Sequence, residues 1–171
     1  GMASAARVHN VGEAKAHVTL KSDGTAVVQS DMTDIGTGTY TIVAQIAGEM
    51  LGITTEQVLV ELGGTKHPRG PGSGGSWGAA SIGSAVYVAC EALREKLAHR
   101  AGTSETELDL RDGSVVGGNS LVELLDGEDI SEVGHYEPGD IADSHTASGF
   151  GAFFAKVRVN RFTGETRVDH M

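Results

Sequence analysis

Between Pro68 and Val86 the chain reads Pro-Arg-Gly-Pro-Gly-Ser-Gly-Gly-Ser-Trp-Gly-Ala-Ala-Ser-Ile-Gly-Ser-Ala-Val. The stretch starts as a loop almost without side chains and becomes a helix whose first turns carry no charge. Gly70, Gly72, Gly74 and Gly75 leave the backbone bare, so its N–H groups can approach another molecule closely. Ser73, Ser76, Ser81 and Ser84 add hydroxyls that both donate and accept. The helix that follows presents free N–H groups and a partial positive charge at its first turn. Together these features describe a cradle for an anion, most simply a phosphate. A flexible surface loop running into a packed helix is the plainer reading, and on this stretch alone it is the commoner one.

Composition narrows what such a cradle serves. The formal net charge is −10, which argues against nucleic acid or an acidic membrane surface as partner. A single local phosphate site remains open, because backbone N–H groups supply the attraction there. With 171 residues the chain is long enough for one domain with a real core. Aromatic residues make up only 5%, so that core must be built from Val, Ile, Leu and Ala. The one cysteine, Cys90, has no internal disulfide partner, and no Cys/His cluster has zinc spacing. No apolar run is long enough for a membrane span and no signal-peptide pattern is seen, which makes the cytoplasm the simplest compartment.

Periodicity orders the rest. Lys15 to Ser22 alternates polar and apolar residues as a half-buried strand, and Asp23-Gly24 turns it into a second run, Thr25 to Asp31. Asp34-Ile35-Gly36-Thr37-Gly38-Thr39-Tyr40 is a second glycine-rich loop that also opens a helix. Ile42, Ile46, Ala47, Met50 and Leu51 form that helix's stripe, and Gly52 is its stop. Gln57 to Leu62 reads as a strand. A long helix runs from about Trp77 to Arg100 with Ile82, Val86, Ala89, Leu93 and Leu97 as its stripe, and with Cys90 beside it as a buried structural thiol. Asp112-Gly113 marks another hairpin, and Ser120 caps a short helix to Leu125. Glu128 to Asp143 reads as acidic and irregular. Phe150 to Asn160 reads as one strand, Arg161 to Glu165 as a turn, and Thr166 to Met171 as a partner strand. No internal repeat is found. The predicted fold is α+β: a mixed sheet of hairpins with two main helices packed on one face.

The paired loops, their order, and the intervening Val58-Leu59-Val60-Glu61-Leu62-Gly63-Gly64-Thr65 resemble the molybdenum-cofactor-binding subunit of the xanthine dehydrogenase and aldehyde oxidoreductase family. The first loop is similar to that family's Gly-Gln-Gly pterin loop, with Thr37 in place of Gln. The second is similar to the small-residue segment that runs past the molybdenum. The tail from Ser148 to Val159, followed by Thr163-Gly164-Glu165, is similar to the family's strand pair after the cofactor loops. The resemblance implies hydroxylation of an aldehyde or N-heterocycle with water as oxygen donor. The implied cofactor is molybdopterin, as its cytosine dinucleotide, with electrons leaving through iron–sulfur and flavin subunits. Carried over by position, the cofactor-binding candidates are Gly36, Thr37, Gly38, Thr39, Ser73, Gly74, Gly75, Ser76, Trp77 and Gly78. Trp77 either faces the substrate or seals its loop against the core.

The resemblance also places the family's catalytic glutamate in a later segment, past Met171, so no catalytic residue and no metal ligand is assigned here. Glu49 and Glu61 read as solvated or rim charges. His67, His135 and His145 read as surface histidines, although His67 lies at the cradle's mouth. Residues 1–14 are expected to be a tag scar (Gly1-Met2) and a flexible lead-in, with 15–171 a single partial cofactor-binding domain. Three readings follow. The chain is part of a molybdenum hydroxylase, inactive alone and completed by the remainder of that subunit. Alternatively it is a small phosphate- or nucleotide-binding module. In the third reading it is a structural relic that binds no cofactor and self-associates as a homo-oligomer through an exposed edge strand near Met171.

Overall fold

A computed structural model describes residues 1–140 and 143–171. Residues 141 and 142, at the end of the stretch expected to be irregular, lie outside the described residues. In chain order the elements are β1 (Met2–Val8), β2 (Ala14–Leu20), β3 (Ala26–Ser30), α1 (Thr39–Leu51), β4 (Val58–Leu62) and α2 (Gly78–Ala101). They continue with β5 (Leu110–Arg111), β6 (Ser114–Val115), α3 (Leu121–Leu125), β7 (Ile130–Tyr136), β8 (Ser148–Phe154), β9 (Lys156–Val159) and β10 (Thr166–His170).

Alternation along β2 and β3 dictates the central layer. Ala14, Ala16, Val18 and Leu20 point inward, as do Ala26, Val28 and Ser30, while the residues between them stay half-exposed. The two strands pair antiparallel from His17↔Gln29 to Leu20↔Ala26. The full sheet runs β4-β3-β2-β7. β3 and β4 are parallel, and the other pairs are antiparallel, so the sheet is mixed. Both long helices cover one face: α1 lies on β3 and β4, and α2 on β2 and β7. Every residue of the α2 stripe expected from the sequence, from Ile82 to Leu97, has no solvent exposure. At about 25 cal/mol per Å² of apolar surface, burying the Ile, Val and Leu side chains of this stripe stabilises by about 1.5–3 kcal/mol each. The fold is therefore the expected α+β arrangement.

Four local expectations are corrected. Residues 130–136 are not irregular: they form β7, an edge strand paired with β2 from Ala14↔Tyr136 to Leu20↔Ile130. Its inward side carries only Ile130 and Gly134 as fully buried residues, which hides the period. Gly134 is needed there because a Cβ would meet the backbone of α2 at Ala85 and Ala89. Residues 2–8 are not a loose lead-in but β1, paired antiparallel with β8 from Met2↔Phe154 to Val8↔Ser148. Both faces of that ribbon are exposed, so β1 has no burial period to read. The single strand expected over 150–160 is two strands: β8 joins β1, while β9 pairs with β10. In α1 the fully buried line is Val43, Ala47 and Leu51, with Ile42, Ile46 and Met50 half-buried. Ile46 reaches across to α2 instead, where Gly83 leaves room for its Cδ1.

The topology places the two glycine-rich loops side by side. β3 and β4 are parallel, so the loops that follow them leave the same edge of the sheet. Each then enters one of the two long helices. A crevice beyond the carboxyl ends of adjacent parallel strands is where open α/β layers hold ligands.

Candidate functional site

The loop after β3 and the loop after β4 are laced together by backbone bonds. The Gly63 N–H donates to Ser30 O at 3.0 Å, and the Asp31 N–H to Pro68 O at 2.9 Å. The Gly70 N–H reaches Asp31 Oδ1, and the Ser73 hydroxyl donates to Thr33 O. Gly70 cannot carry a side chain here, since a Cβ would press on the Met32 backbone N at 2.8 Å.

Between the laced loops lies a cleft of about 400 Å³. Thr37 from the first loop and Ser73, Gly74, Gly75, Ser76 and Gly78 from the second all line it. Six of the ten sequence candidates thus meet on one surface. The reading from sequence missed Met32, Ile35 and Ala79, which complete the lining. Met32 is almost fully buried, and its Cε lies 2.6 Å from where a Gly78 Cβ would stand. A side chain at 78 would displace the end of Met32. Ser76 adopts φ 65°, directly after Gly75 at φ 60°. A serine held left-handed is strained by roughly 1–2 kcal/mol, a conformation that concentrates at ligand clamps.

The remaining four candidates do other work. Gly36 (φ 94°) and Gly38 (φ 82°) shape the first loop. Thr39 is buried, and its hydroxyl sits 3.3 Å from that of Thr37. The organiser of this loop is Asp34, which sequence reasoning left out. Its Oδ1 accepts from the N–H groups of Gly36 (2.8 Å) and Thr37 (2.9 Å), and its Oδ2 from Thr39 (3.0 Å) and Tyr40 (3.4 Å). Desolvation disfavours the charged form, but the bonds from Gly36, Thr37 and Tyr40 and the Thr37 hydroxyl outweigh it. The carboxyl is therefore held below its ordinary range. The signal was available: an aspartate followed by amides at short spacing is an Asx turn.

The two helix starts consequently differ. At α1 the expected bare amides are already occupied by Asp34. At α2 no side chain among the described residues caps the first turn. The helix start with free amides therefore lies on the Ser76–Ala79 side of the cleft.

Trp77 turns away from the cleft. Its ring lies over Gly12, and it lines a separate cavity with residues of the 8–11 and 145–147 segments. Its contact is with the irregular segment that leads into β2, not with the cleft. Ser81, fully buried, fixes that contact: its hydroxyl accepts from the Gly12 N–H at 2.9 Å and donates to Trp77 O at 2.7 Å. His67 stacks on Gly64 beside the second loop and is not in the cleft lining. His135 pairs with Glu13 at 2.8 Å on the surface.

A mixed sheet has two loops converging beyond its parallel pair, with one helix start left uncapped. The chain belongs to the molybdopterin cofactor-binding domain family, whose model matches residues 1–171. It is similar to the aldehyde oxidoreductase molybdenum-binding subunit PaoC of Escherichia coli K12. The identity is 40% over 174 residues, covering 100% of this chain and 24% of that protein. It is also 34% identical over 186 residues to the probable hypoxanthine oxidase XdhD of the same organism, covering 95% of this chain and 18% of that protein. The chain thus spans 24% and 18% of the lengths of these two relatives. Among solved structures, quinoline 2-oxidoreductase from Pseudomonas putida 86 superposes with a TM-score of 0.75 at 22% identity, covering 98% of this chain and 25% of that one. The Cu,Mo-CO dehydrogenase gives 0.76 at 20% identity, covering 99% and 25%. These two likenesses show the same fold.

Proposed function

We propose that this domain lends its two loops, 34–40 and 70–79, to the molybdopterin site of a hydroxylase acting on an aldehyde or an N-heterocycle. One observation carries the reading: both loops line a single cleft of about 400 Å³ at the edge where β3 and β4 end. The residues present fit the group. Ser73 and Ser76 bring hydroxyls, Gly74 and Gly75 bring approachable backbone, and the uncapped first turn of α2 favours negative charge such as the cofactor's phosphates. Asp34 contributes indirectly, fixing the Thr37 hydroxyl at the cleft's other wall. The chemistry the bound group supplies is two-electron oxidation of the substrate carbon with oxygen taken from water. This chain's part is to bind and orient it. None of its acidic side chains is assigned as the proton acceptor, and the cytosine dinucleotide form belongs to the same proposal.

The proposed partners are the remainder of the molybdenum-binding subunit and iron–sulfur and flavin subunits. The relatives' greater length supports the first. So does the ribbon: all four phenylalanines lie in the last part of the chain and are exposed, Phe150 by 87% and Phe162 by 86%. A second copy of the chain is the alternative cover, favoured by the open edges of β1, β8, β9 and β10 among the described residues. The cytoplasm is the proposed compartment, which the lone buried thiol of Cys90 fits.

The test is pterin and molybdenum content of the chain purified from a host that makes the cofactor. Stoichiometric pterin is expected, with a drop of about tenfold in Ala79→Leu, which fills the cleft from an exposed position. Pterin retained equally by that variant would overturn the assignment of the cleft, and pterin absent from both would overturn binding by this domain on its own. Sedimentation separates the two covers for the ribbon: a dimer supports the second copy, a monomer the remainder of the subunit.

A further inference from the structure

Residues 12–15, where the chain enters β2, hold the second glycine-rich loop at both ends. At its start, the Lys15 N–H donates to Arg69 O at 2.8 Å. At its end, the Gly12 N–H donates to Ser81 Oγ at 2.9 Å, and that hydroxyl donates to Trp77 O at 2.7 Å. Trp77 O also accepts from the Ser81 N–H at 3.1 Å. Trp77 is thus pinned twice: its carbonyl by Ser81, and its ring by the seat at Gly12. Ser81 is fully buried and takes no part in the cleft lining, so the pin sits behind the cleft wall.

The neighbours of Trp77 belong to the cleft. Ser76 and Gly78 line it, and the residue between them does not. The chain reaches the pinned position through two successive left-handed residues, Gly75 at φ 60° and Ser76 at φ 65°. Glycine adopts that conformation freely, whereas serine does not. A strained backbone of this kind persists only where its surroundings over-determine it. Without the pin behind it, Ser76 is free to fall back into the right-handed region and prolong α2 backwards.

From this geometry we propose that Ser81 is a positioning residue for the cleft: by tying Trp77 to Gly12, it holds Ser76 left-handed on the cleft wall. The proposal rests on the cofactor reading only for what the cleft receives. It makes the segment before β2, which has no periodicity in the sequence, part of the frame of the site.

The experiment is a double-mutant cycle read by urea unfolding. Ser76→Gly relieves the strain, so it is expected to raise the midpoint of the unmodified chain. In a Ser81→Ala background the strain is already relieved, and Ser76→Gly is expected to leave the midpoint where it was. Ser84→Ala is the control, since the Ser84 hydroxyl makes the same bond back along α2, to Ala80 O at 2.8 Å, without reaching the segment before β2. There Ser76→Gly is expected to raise the midpoint as it does in the unmodified chain. An equal rise in all three backgrounds would overturn the proposal. A second measurement keeps Ser81 intact and stands even where Ser81→Ala folds poorly. Coupling is reciprocal, so relieving Ser76 must strengthen the pin. The Gly12 amide is expected to exchange with solvent about fivefold more slowly in Ser76→Gly than in the unmodified chain. Unchanged Gly12 exchange would overturn the proposal as well. Neither readout involves pterin, so this inference and the cofactor reading fail separately.

Discussion

The Trp77 indole occupies the place a side chain at Gly12 would need: a Cβ built there would lie 2.5 Å from Cζ3 and 2.6 Å from Cε3 of the ring. Gly12 also donates its N–H to Ser81, so the segment entering β2 is held to α2 at one point by a bond and a missing side chain together. Gly12→Ala forces the indole off this seat. The expected loss is about 1–3 kcal/mol in urea unfolding, with a red-shifted tryptophan emission in the folded state. Gly149→Ala, where a Cβ meets nothing within 4 Å, is the neutral control.

Ser76 sets stability against binding. Ser76→Gly removes the penalty of a side chain at φ 65° and is expected to stabilise the chain by about 1 kcal/mol, read as a higher denaturation midpoint. The same change deletes a hydroxyl from the cleft, so pterin content is expected to fall. A rise in stability with unchanged pterin would show that the hydroxyl makes no contact.

Asp34 makes the start of α1 sensitive to acid. Its folded-state carboxyl titrates below the ordinary aspartate value of about 3.9 because four backbone N–H groups point at the ionised form. A lowered carboxyl contributes stability that is present above the unfolded value. That contribution is lost as pH falls through the folded one. Unfolding curves taken from about pH 6 downward should therefore lose less stability in Asp34→Asn than in the unmodified chain. Parallel pH profiles would remove Asp34 from this role.

Cys90 should be silent as a thiol. It has no solvent exposure, and burial pushes its ionisation up to about 12, with Arg94 pulling only partly the other way. A disulfide reagent at about pH 8 is expected to leave the folded chain unmodified and to react fully in denaturant. Fast labelling under native conditions would mean that α2 separates from the sheet more readily than its packing implies.

The central layer was legible because its signals were redundant. In β2, apolar residues at 14, 16, 18 and 20 coincide with burial, and the α2 stripe repeats over its length. β7 was not legible because Gly134 earns its place through the backbone of α2, a partner that no window of local sequence contains. In α1 the larger Ile42, Ile46 and Met50 drew the stripe toward themselves. The smaller Val43 and Ala47 are the fully buried ones instead, while Ile46 reaches across to α2. The cleft was half legible. Glycines and serines marked both loops, but whether an amide is free depends on which carboxylate reaches it, and Asp34 was given no role from the sequence. Trp77 could not be placed from sequence, because its seat, Gly12, lies in a segment without periodicity.

The ribbon of β1 and β8 is closed by a bond from the Gly1 ammonium to Ala155 O, between residues 154 positions apart. Its strands touch mainly each other, and the aliphatic core beneath α1 and α2 contains no phenyl ring. Closing so long a loop costs entropy that nothing local repays, and exposed strands contribute little burial in return. The layer of β2, β3, β4 and β7 therefore folds first, and the two strands of the ribbon meet afterwards. Hydrogen exchange should divide the molecule along that line, with amides of Val18 and Leu20 opening only on global unfolding and those of the ribbon opening freely. The aromatic ribbon is a latch that the rest of the molecule can do without, held ready for a surface that gives it a reason to stay shut.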